Sequence, residues 1–265
     1  MIRISNLTIA NSDRKIINNL SLSIKENEIK GLTGPSGAGK TTLLKAIMSL
    51  NESGLTITNG QIEVCDTNIN NIDHKKASKL LGNTIGYIPQ NPITSFFPDK
   101  TIGNQMVNNL LLKKIDKREA KKIIMKNIVR ANFEDPIRIL NSYPSELSGG
   151  MLQRIAIVNI YIMRPQIILA DEPTSALDIC NKDIFLEALL ELKKISSILF
   201  VSHDIKSIKK ISDSIEVMID GSILYNKDRN NIKYDEKSVK NLWIREFIKE
   251  FNENIEEEWN WQSLI

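Results

Sequence analysis

The stretch Gly34-Pro35-Ser36-Gly37-Ala38-Gly39-Lys40-Thr41 decides the fold, because it fits the pattern G-x-x-x-x-G-K-[ST]. The residues Ile29 to Thr33 before it predict a short strand, and Leu43, Leu44 and Ile47 after it have helical spacing. Glycines let the backbone curl so that successive amides point inward, and the following helix presents its positive N-terminal end. The sequence therefore predicts a strand, a phosphate-binding loop and a helix.

This loop predicts particular contacts with a bound nucleotide. We expect Lys40 to reach the terminal phosphates and Thr41 to place its hydroxyl on Mg²⁺. The residues expected to contact the nucleotide here are Gly34, Pro35, Ser36, Gly37, Ala38, Gly39, Lys40, Thr41 and Thr42. The alternative is a chance glycine-rich turn, which the motifs further along the chain argue against.

A second motif is the apolar run Ile167-Ile168-Leu169-Ala170, which ends in two acids, Asp171 and Glu172. Open α/β sheets bind their ligands at the carboxyl ends of strands. We therefore expect Asp171 to hold Mg²⁺, directly or through water, and Glu172 to act as the general base that polarises the attacking water. Taken alone, an Asp-Glu pair at a strand end is more often a solvated loop start.

A third apolar run, Ile198-Leu199-Phe200-Val201, is followed by Ser202 and His203. An imidazole at this strand end could hydrogen-bond a γ-phosphate, so His203 is a candidate catalytic residue. The other histidine, His74, lies in a polar stretch typical of a solvated surface and is given no role.

These patterns predict an α/β fold with a mixed or parallel core sheet, an N-terminal antiparallel β layer and an inserted helical subdomain. The antiparallel layer follows from alternating apolar residues in the first 24 positions. We expect one domain over residues 1–265, with a nucleotide-binding core at 1–90 and 165–226 and a helical subdomain at 91–164. The polar tail, 227–265, predicts a packed terminal helix.

Composition excludes several classes of protein. The 265 residues are 42% hydrophobic and carry a formal net charge of only +3, which gives no basic stripe for nucleic acid. The longest apolar stretch, residues 155–163, is interrupted by Asn159 and is too short to span a bilayer. The N-terminus lacks the features of a secretory signal, so we expect a cytoplasmic location. Cys65 and Cys180 have no disulfide or zinc spacing.

The segment Leu147-Ser148-Gly149-Gly150-Met151-Leu152-Gln153-Arg154 resembles the signature sequence of the ABC ATPases. It is a second anion cradle, with a hydroxyl and two glycine amides at a helix start. The resemblance covers nearly the whole chain, because six motifs follow the family order: the phosphate loop, Gln90, the signature, Asp171-Glu172, Ser175-Ala176-Leu177-Asp178, and His203.

The resemblance implies an enzyme that binds ATP and Mg²⁺ and hydrolyses ATP. In this family two such domains pack head to tail, so that each ATP lies between one phosphate loop and the partner's signature. Gln90 would act at the Mg²⁺ site and link it to the surface that docks a membrane subunit. The residues implied to face the partner's nucleotide are Ser148, Gly149, Gly150, Gln153 and Asp178.

One feature departs from the family pattern. An aromatic residue near the N-terminus usually stacks on adenine, but the corresponding stretch, residues 9–15, has none. Either Arg14 or an apolar neighbour such as Ile16 covers the base, or the base is held loosely.

Within the family, Gln90-Asn91-Pro92-Ile93-Thr94-Ser95-Phe96-Phe97-Pro98 and the signature are similar to the nickel and peptide importer branch. Leu152 favours nickel or metallophore import, because peptide-import relatives usually have arginine there; the alternative cargo is a di- or oligopeptide. This branch implies a heterodimer with a second ABC ATPase, two permease subunits, and an extracellular binding protein that acts indirectly. The chain would then sit at the cytoplasmic face of the membrane.

Three other classes of ATPase share part of this pattern. A nucleic-acid-associated ABC ATPase would usually show tandem cassettes or long coiled coils, and the sequence shows neither. A non-catalytic regulatory subunit would have lost Glu172, His203 or the signature, and all are present. An exporter motor has the same catalytic core, and only the importer-like stretches argue against it.

Overall fold

The computed structural model describes residues 1–12, 14–50, 54–175 and 177–228. The strands are β1 Ile2–Ala10, β2 Lys15–Ile24, β3 Ile29–Thr33, β4 Thr56–Val64, β5 Thr67–Asn68, β6 Ile85–Ile88, β7 Ile167–Asp171, β8 Ser197–Val201, β9 Ser214–Ile219 and β10 Ser222–Asp228. The helices are α1 Lys40–Ile47, α2 His74–Asn83, α3 Ile102–Leu112, α4 Lys117–Arg130, α5 Pro136–Asn141, α6 Gly149–Met163, α7 Ile179–Lys193 and α8 Ile205–Ile211. The tail from residue 229 onward, for which a terminal helix is predicted, lies outside the described residues.

The chain divides into two compact units. Among the described residues, one unit comprises those of Met1–Ile72 together with residues 198–228, and the other comprises those of Asp73–Ser197. The division into a nucleotide-binding core and a helical subdomain at 91–164 stays a prediction.

The first unit contains an antiparallel sheet of order β2-β1-β4-β5. Ile4 of β1 pairs with Leu22 of β2 on one side and with Ile62 of β4 on the other. All three side chains are buried, as period-2 alternation requires of a sheet with one packed face. The predicted N-terminal antiparallel layer is confirmed.

The same unit contains the strand order β10-β9-β3-β8. Strand β3 pairs in parallel with both β8 and β9, and β9 pairs with β10 in the antiparallel sense. Every residue of β3 and β8 is buried, and four of the five residues of β8, Ile198 to Val201, are apolar, as in strands covered on both faces. The mixed α/β fold class is therefore confirmed.

In the second unit, β6 and β7 pair in parallel, with Ile85 opposite Ile167 and Ile88 opposite Ala170. Between these strands, where every residue is described, the regular structure is helical: α3 to α6 and two short 3₁₀ helices, Pro92–Ser95 and Pro144–Glu146. Ile102, Ile124 and Ile155 belong to the buried cluster that joins α3, α4 and α6. The predicted helical insertion is confirmed as secondary structure.

Helix α2 was not predicted from the sequence. Its low apolar content makes it look like a solvated surface, but the side chain of Asp73 accepts a hydrogen bond from the amide of Lys76 and caps the helix.

Among the described residues, no helix combines the length and apolar character needed to cross a bilayer.

Candidate nucleotide-binding site

The phosphate loop of the first unit depends on glycine for its shape. Gly34 has φ 151° and Gly39 has φ 102°. Both values lie in the positive-φ region, which residues other than glycine rarely adopt. A Cβ on Gly34 would lie 2.0 Å from the carbonyl oxygen of Met218, so only glycine fits beside β9. The conformation of the phosphate loop is thus fixed by its close contact with β9 in the same unit.

Lys40 and Thr41 follow this loop at the start of α1. The Nζ of Lys40 donates to the carbonyl oxygens of Gly34 and Pro35 at 2.7 and 2.9 Å, so the ammonium group lies over the loop. The side chain of Thr41 is exposed. Gly39, the N-cap of α1, provides no side-chain hydrogen bond to the helix. The first-turn amides therefore receive no side-chain cap from this residue, which suits a phosphate group.

Asp171, the predicted Mg²⁺ ligand, ends β7 in the second unit and is 6% exposed. The hydroxyl of Tyr87, on the paired strand β6, donates to its Oδ2 at 3.3 Å. Burial, and secondarily the charge of Asp171, raises the pKa of Tyr87 to about 12, so the phenol stays protonated. A buried carboxylate oriented by a neutral donor is a suitable ligand for a hard cation.

Glu172, the predicted general base, lies next to Gln90. The Nε2 of Gln90 donates to Glu172 Oε2 at 3.3 Å, which brings together two residues that the sequence separates by 82 positions. Glu172 adopts φ 45°, an unusual left-handed conformation for a residue other than glycine. The backbone turns sharply at this point, directly after the buried strand.

The signature segment, residues 147–154, forms the start of α6. Ser148 is the N-cap and its Oγ accepts a hydrogen bond from the amide of Met151 at 3.3 Å. Apart from their chain neighbours and the nearby backbone of α6 itself, no atom of the described residues lies within 4 Å of a Cβ built on Gly149 or Gly150. The helix start therefore has open space beside its amides, as an anion cradle requires.

Gln153 differs from these signature residues. Its side chain is 2% exposed, and its Nε2 has no hydrogen-bond partner among the described residues. It is not brought to the open surface that Ser148 and Gly149 share. Contact of Gln153 with a partner's nucleotide stays a prediction.

Asp178 is the N-cap of α7, where its carboxylate accepts from the amide of Asn181 at 2.9 Å and from Asn181 Nδ2 at 2.6 Å. It is exposed, so its place in the fold is compatible with a contact outside this chain.

In the first unit, His203 is exposed between β8 and α8, whose N-cap is Asp204.

The two candidates for covering adenine differ in position. The carbonyl oxygen of Ile16 lies 3.0 Å from a Cβ built on Gly39, so Ile16 is next to the phosphate loop. Arg14 is exposed, and its amide and carbonyl groups form hydrogen bonds with Asn11. Proximity favours Ile16.

Sequence reasoning missed Tyr87. The tyrosine stands in a strand whose other residues are Ile85, Gly86 and Ile88, and a polar group in such a run was the available signal. Its partner becomes evident only from the pairing of β6 with β7.

A parallel strand, a glycine loop and a helix, with an acidic strand end, define a P-loop nucleoside triphosphatase. Each unit by itself offers oxygen groups of the kind that Mg²⁺ prefers, the exposed hydroxyl of Thr41 in the first and the oriented carboxylate of Asp171 in the second. The sequence also matches the family described as ABC transporter over residues 17–175, more than half of the chain. This protein belongs to the ABC transporter family of ATP-binding, ATP-hydrolysing proteins.

Two relatives illustrate the range of this similarity. The metal-staphylopine import system ATP-binding protein CntD of Staphylococcus aureus is 30% identical over 96% of this chain and 95% of its own length. The probable D,D-dipeptide transport ATP-binding protein DdpD of Escherichia coli is 35% identical over 81% of this chain and 66% of its own length.

A solved structure is similar in fold. The dimeric ATP-binding cassette MJ0796, in a post-hydrolysis state bound to ADP and Pi, has a TM-score of 0.76 and 28% identity to this chain. The match covers 86% of this chain and 99% of that one.

Proposed function

We propose that this chain hydrolyses ATP to drive import of nickel or a metal chelate through separate permease subunits. The observation that carries the metal cargo is similarity to CntD along nearly the full length of both chains. Met151 and Leu152 in the signature support the same branch.

The phosphate loop supplies the binding half of the chemistry. Lys40 would exchange its bonds to the Gly34 and Pro35 carbonyls for the terminal phosphates, and the α1 amides would receive phosphate oxygens. Thr41 and Asp171 would hold Mg²⁺, which neutralises charge on the phosphates when bound. Gln90 would take part in the same Mg²⁺ site.

Glu172 supplies the general base in this proposal. Phosphoryl transfer needs an oriented nucleophile above all, and the Glu172 carboxylate would orient a water while Gln90 holds its Oε2. His203 would donate a hydrogen bond from a ring N–H to the γ-phosphate. Ser148, Gly149, Gly150 and Asp178 would complete the site of a partner subunit.

The partners follow from the family and are part of the proposal. We propose a heterodimer with a second ABC ATPase, in which this subunit contributes a competent phosphate loop and a competent signature. Two permeases and an extracellular binding protein would complete the importer, with this chain at the cytoplasmic face of the membrane.

Peptide import is the second candidate function. It is favoured by the 35% identity to DdpD, which exceeds the identity to CntD although the match covers less of the chain. The ATPase does not contact the cargo, so the two candidates share every residue role given above.

The test is ATP-dependent uptake by vesicles that carry the complete transporter. Labelled nickel, with and without chelators, is compared with labelled dipeptide, in the wild type, in Glu172→Gln and in Glu187→Gln. Glu187 is an exposed acid of α7 and serves as the matched control for loss of one carboxylate.

Uptake of metal that is lost in Glu172→Gln and kept in Glu187→Gln would support the proposal. We expect hydrolysis to fall by about 10²-fold or more in Glu172→Gln, the usual contribution of a general base. Uptake of dipeptide alone would overturn the proposal of a metal cargo and leave the proposal of ATP-driven import intact. Hydrolysis unaffected by Glu172→Gln would overturn the assignment of the base.

A further inference from the structure

A cavity of about 280 Å³ lies between α4 and the end of α6, in the second unit. Three cationic side chains line it, Lys126 and Arg130 from α4 and Arg164 from the C-cap of α6, together with Tyr161 and Asn127. We call this the basic cavity. It lies at the opposite end of the 15-residue helix α6 from Ser148, and so is separate from the signature.

The charges of the basic cavity are not balanced. No carboxylate lines it, and none of Lys126, Arg130 and Arg164 has a side-chain hydrogen bond or ion pair among the described residues. Lys126 and Arg130 are separated by four positions on one helix, where like charges are neighbours and destabilise the helix. Arg164 adds a third positive charge from another helix.

The cations are not needed to neutralise the C-terminal ends of these helices. At the end of α6, the Nζ of Lys113 already donates to the carbonyl oxygen of Met163. After α4, the guanidinium of Arg154 donates to the carbonyl oxygens of Ala131 and Asn132. A helix-dipole role would therefore duplicate bonds that Lys113 and Arg154 make.

The backbone conformation of Arg164 also indicates that this arginine was not selected for fold stability. Arg164 has φ 45°, a left-handed C-cap conformation in which glycine is the least costly residue. The chain has an arginine here, directly before Pro165 and with its side chain exposed. Fold stability alone would favour glycine or asparagine at this position.

We propose that the basic cavity binds a small anion bearing a phosphate group. Two guanidinium groups can each bind phosphate oxygens through paired N–H groups, and a lysine adds a point charge. A triple positive charge favours a doubly charged phosphate monoester over a single carboxylate. The volume is below the ~300–1,000 Å³ of sites for drug-sized molecules, so the ligand is small.

The group bound could come from a free phosphate ester or from a lipid headgroup, which share this chemistry. Calorimetric titration of the full chain with glycerol 3-phosphate tests the free ester, with ADP and Mg²⁺ present to saturate the phosphate loop. Co-sedimentation with vesicles of phosphatidic acid mixed with phosphatidylcholine, against vesicles of phosphatidylcholine alone, tests the headgroup, because phosphatidic acid carries a terminal phosphate monoester. Both are done at about 150 mM salt, where diffuse surface attraction is screened beyond ~8 Å.

The test variant is Arg130→Gln/Arg164→Gln. Its matched control is Lys117→Gln/Arg118→Gln, which removes two charges from the start of α4 outside the cavity. We expect at least one probe to bind the wild type, with affinity lowered at least about tenfold in the test variant and less than about twofold in the control. A thermal melt of each variant verifies that the fold is retained.

Binding of glycerol 3-phosphate identifies a free ester as the source, and vesicle binding without it identifies a headgroup. Two results would overturn the proposal: no binding of either probe to the wild type, or equal losses in the test and control variants. The readout is binding, so it is independent of ATP hydrolysis and of the cargo.

Discussion

The hydroxyl of Tyr87 lies 3.3 Å from Oδ2 of Asp171 and donates a hydrogen bond to it. The two residues stand on paired strands, β6 and β7, whose carboxyl ends both continue into predicted active-site residues, Gln90 and Glu172. Because the pKa of Tyr87 is raised to about 12, the donor keeps its proton throughout the working pH range. Tyr87 therefore orients the carboxylate that we expect to hold Mg²⁺.

Replacing Tyr87 with phenylalanine removes this bond and little else. A hydrogen bond contributes about 1 kcal/mol, so we predict that Tyr87→Phe weakens binding of Mn²⁺, used in place of Mg²⁺, by about fivefold in the presence of ADP. Electron paramagnetic resonance, which distinguishes free from bound Mn²⁺, measures this affinity. Tyr161→Phe, which changes an exposed phenol, is the control. Unchanged Mn²⁺ affinity in Tyr87→Phe would mean that the bond does not orient the carboxylate.

A buried ion pair joins β3 and β9. Lys30 Nζ lies 3.3 Å from Glu216 Oε1 and 3.4 Å from Glu28 Oε1, and the side chains of Lys30 and Glu216 are 7% and 1% exposed. Removing one member of such a pair leaves a buried charge, so we predict that Lys30→Met lowers the free energy of unfolding by about 3–5 kcal/mol at pH 7. Urea denaturation measures it.

The control for this variant is Lys194→Met, which breaks an exposed pair with Glu191. Such pairs contribute at most about 1 kcal/mol. A loss in Lys30→Met no larger than that of the control would contradict the prediction. Conversely, Lys30→Met/Glu216→Leu should recover part of the loss, because the buried carboxylate of Glu216 is removed, while Glu28 still accepts from the Lys25 amide and the Ser214 hydroxyl.

The same pair predicts a pH dependence. Burial, partly offset by Lys30, raises the pKa of Glu216 above its ordinary value of 4.5. A raised pKa means that the folded state binds the proton more readily, so the contribution of Glu216 to stability falls as the pH rises through that pKa. We predict that the loss caused by Lys30→Met is smaller at pH 5 than at pH 7. An equal loss at both values would contradict it.

Two glycines separate a steric requirement from helix propensity. Gly34→Ala should abolish nucleotide binding or folding, because its Cβ would lie 2.0 Å from the Met218 carbonyl oxygen. Gly82→Ala should raise stability by up to about 1 kcal/mol, because among the described residues nothing but the chain neighbours and the nearby backbone of α2 lies within 4 Å of the new Cβ. Fluorescent nucleotide binding and thermal melts measure both changes. Normal nucleotide binding by Gly34→Ala would refute the steric argument.

Gln105 closes the turn before α3. Its Oε1 accepts from the amide of Phe97 at 2.9 Å, and its Nε2 donates to the carbonyl oxygens of Phe97 and Lys100 at 3.0 and 2.7 Å. We predict that Gln105→Leu costs about 1–3 kcal/mol of stability and speeds amide exchange at Phe97, since these groups lose their partner. Its exposed neighbour gives the control, Asn104→Ala, expected within about 0.5 kcal/mol. Unaltered exchange at Phe97 would contradict the role of Gln105.

Local patterns predicted the part of the fold that carries the chemistry. The predicted strand Ile29 to Thr33 coincides with β3, because glycine and lysine mark the loop that ends it. The apolar runs before Asp171 and His203 became β7 and β8, because strands buried on both faces contain few polar residues.

Contacts between distant positions could not be predicted in the same way. Lys30 lies in an apolar strand, and the acid that pairs with it is 186 positions away, so neither is recognisable alone. The bond from Gln90 to Glu172 depends likewise on the parallel register of β6 and β7. Local spacing specifies elements, whereas these contacts depend on which strands become neighbours.

The left-handed backbone conformation of Glu172 lowers the stability of the folded chain at the residue that we propose as the general base. Strained residues of this kind cost about 1–3 kcal/mol, and glycine would relieve most of that cost. A stability-guided redesign would therefore select glycine at position 172 and discard the proposed general base. If Glu172 is the general base that we propose, the most stable sequence of this chain and its most active sequence are different sequences.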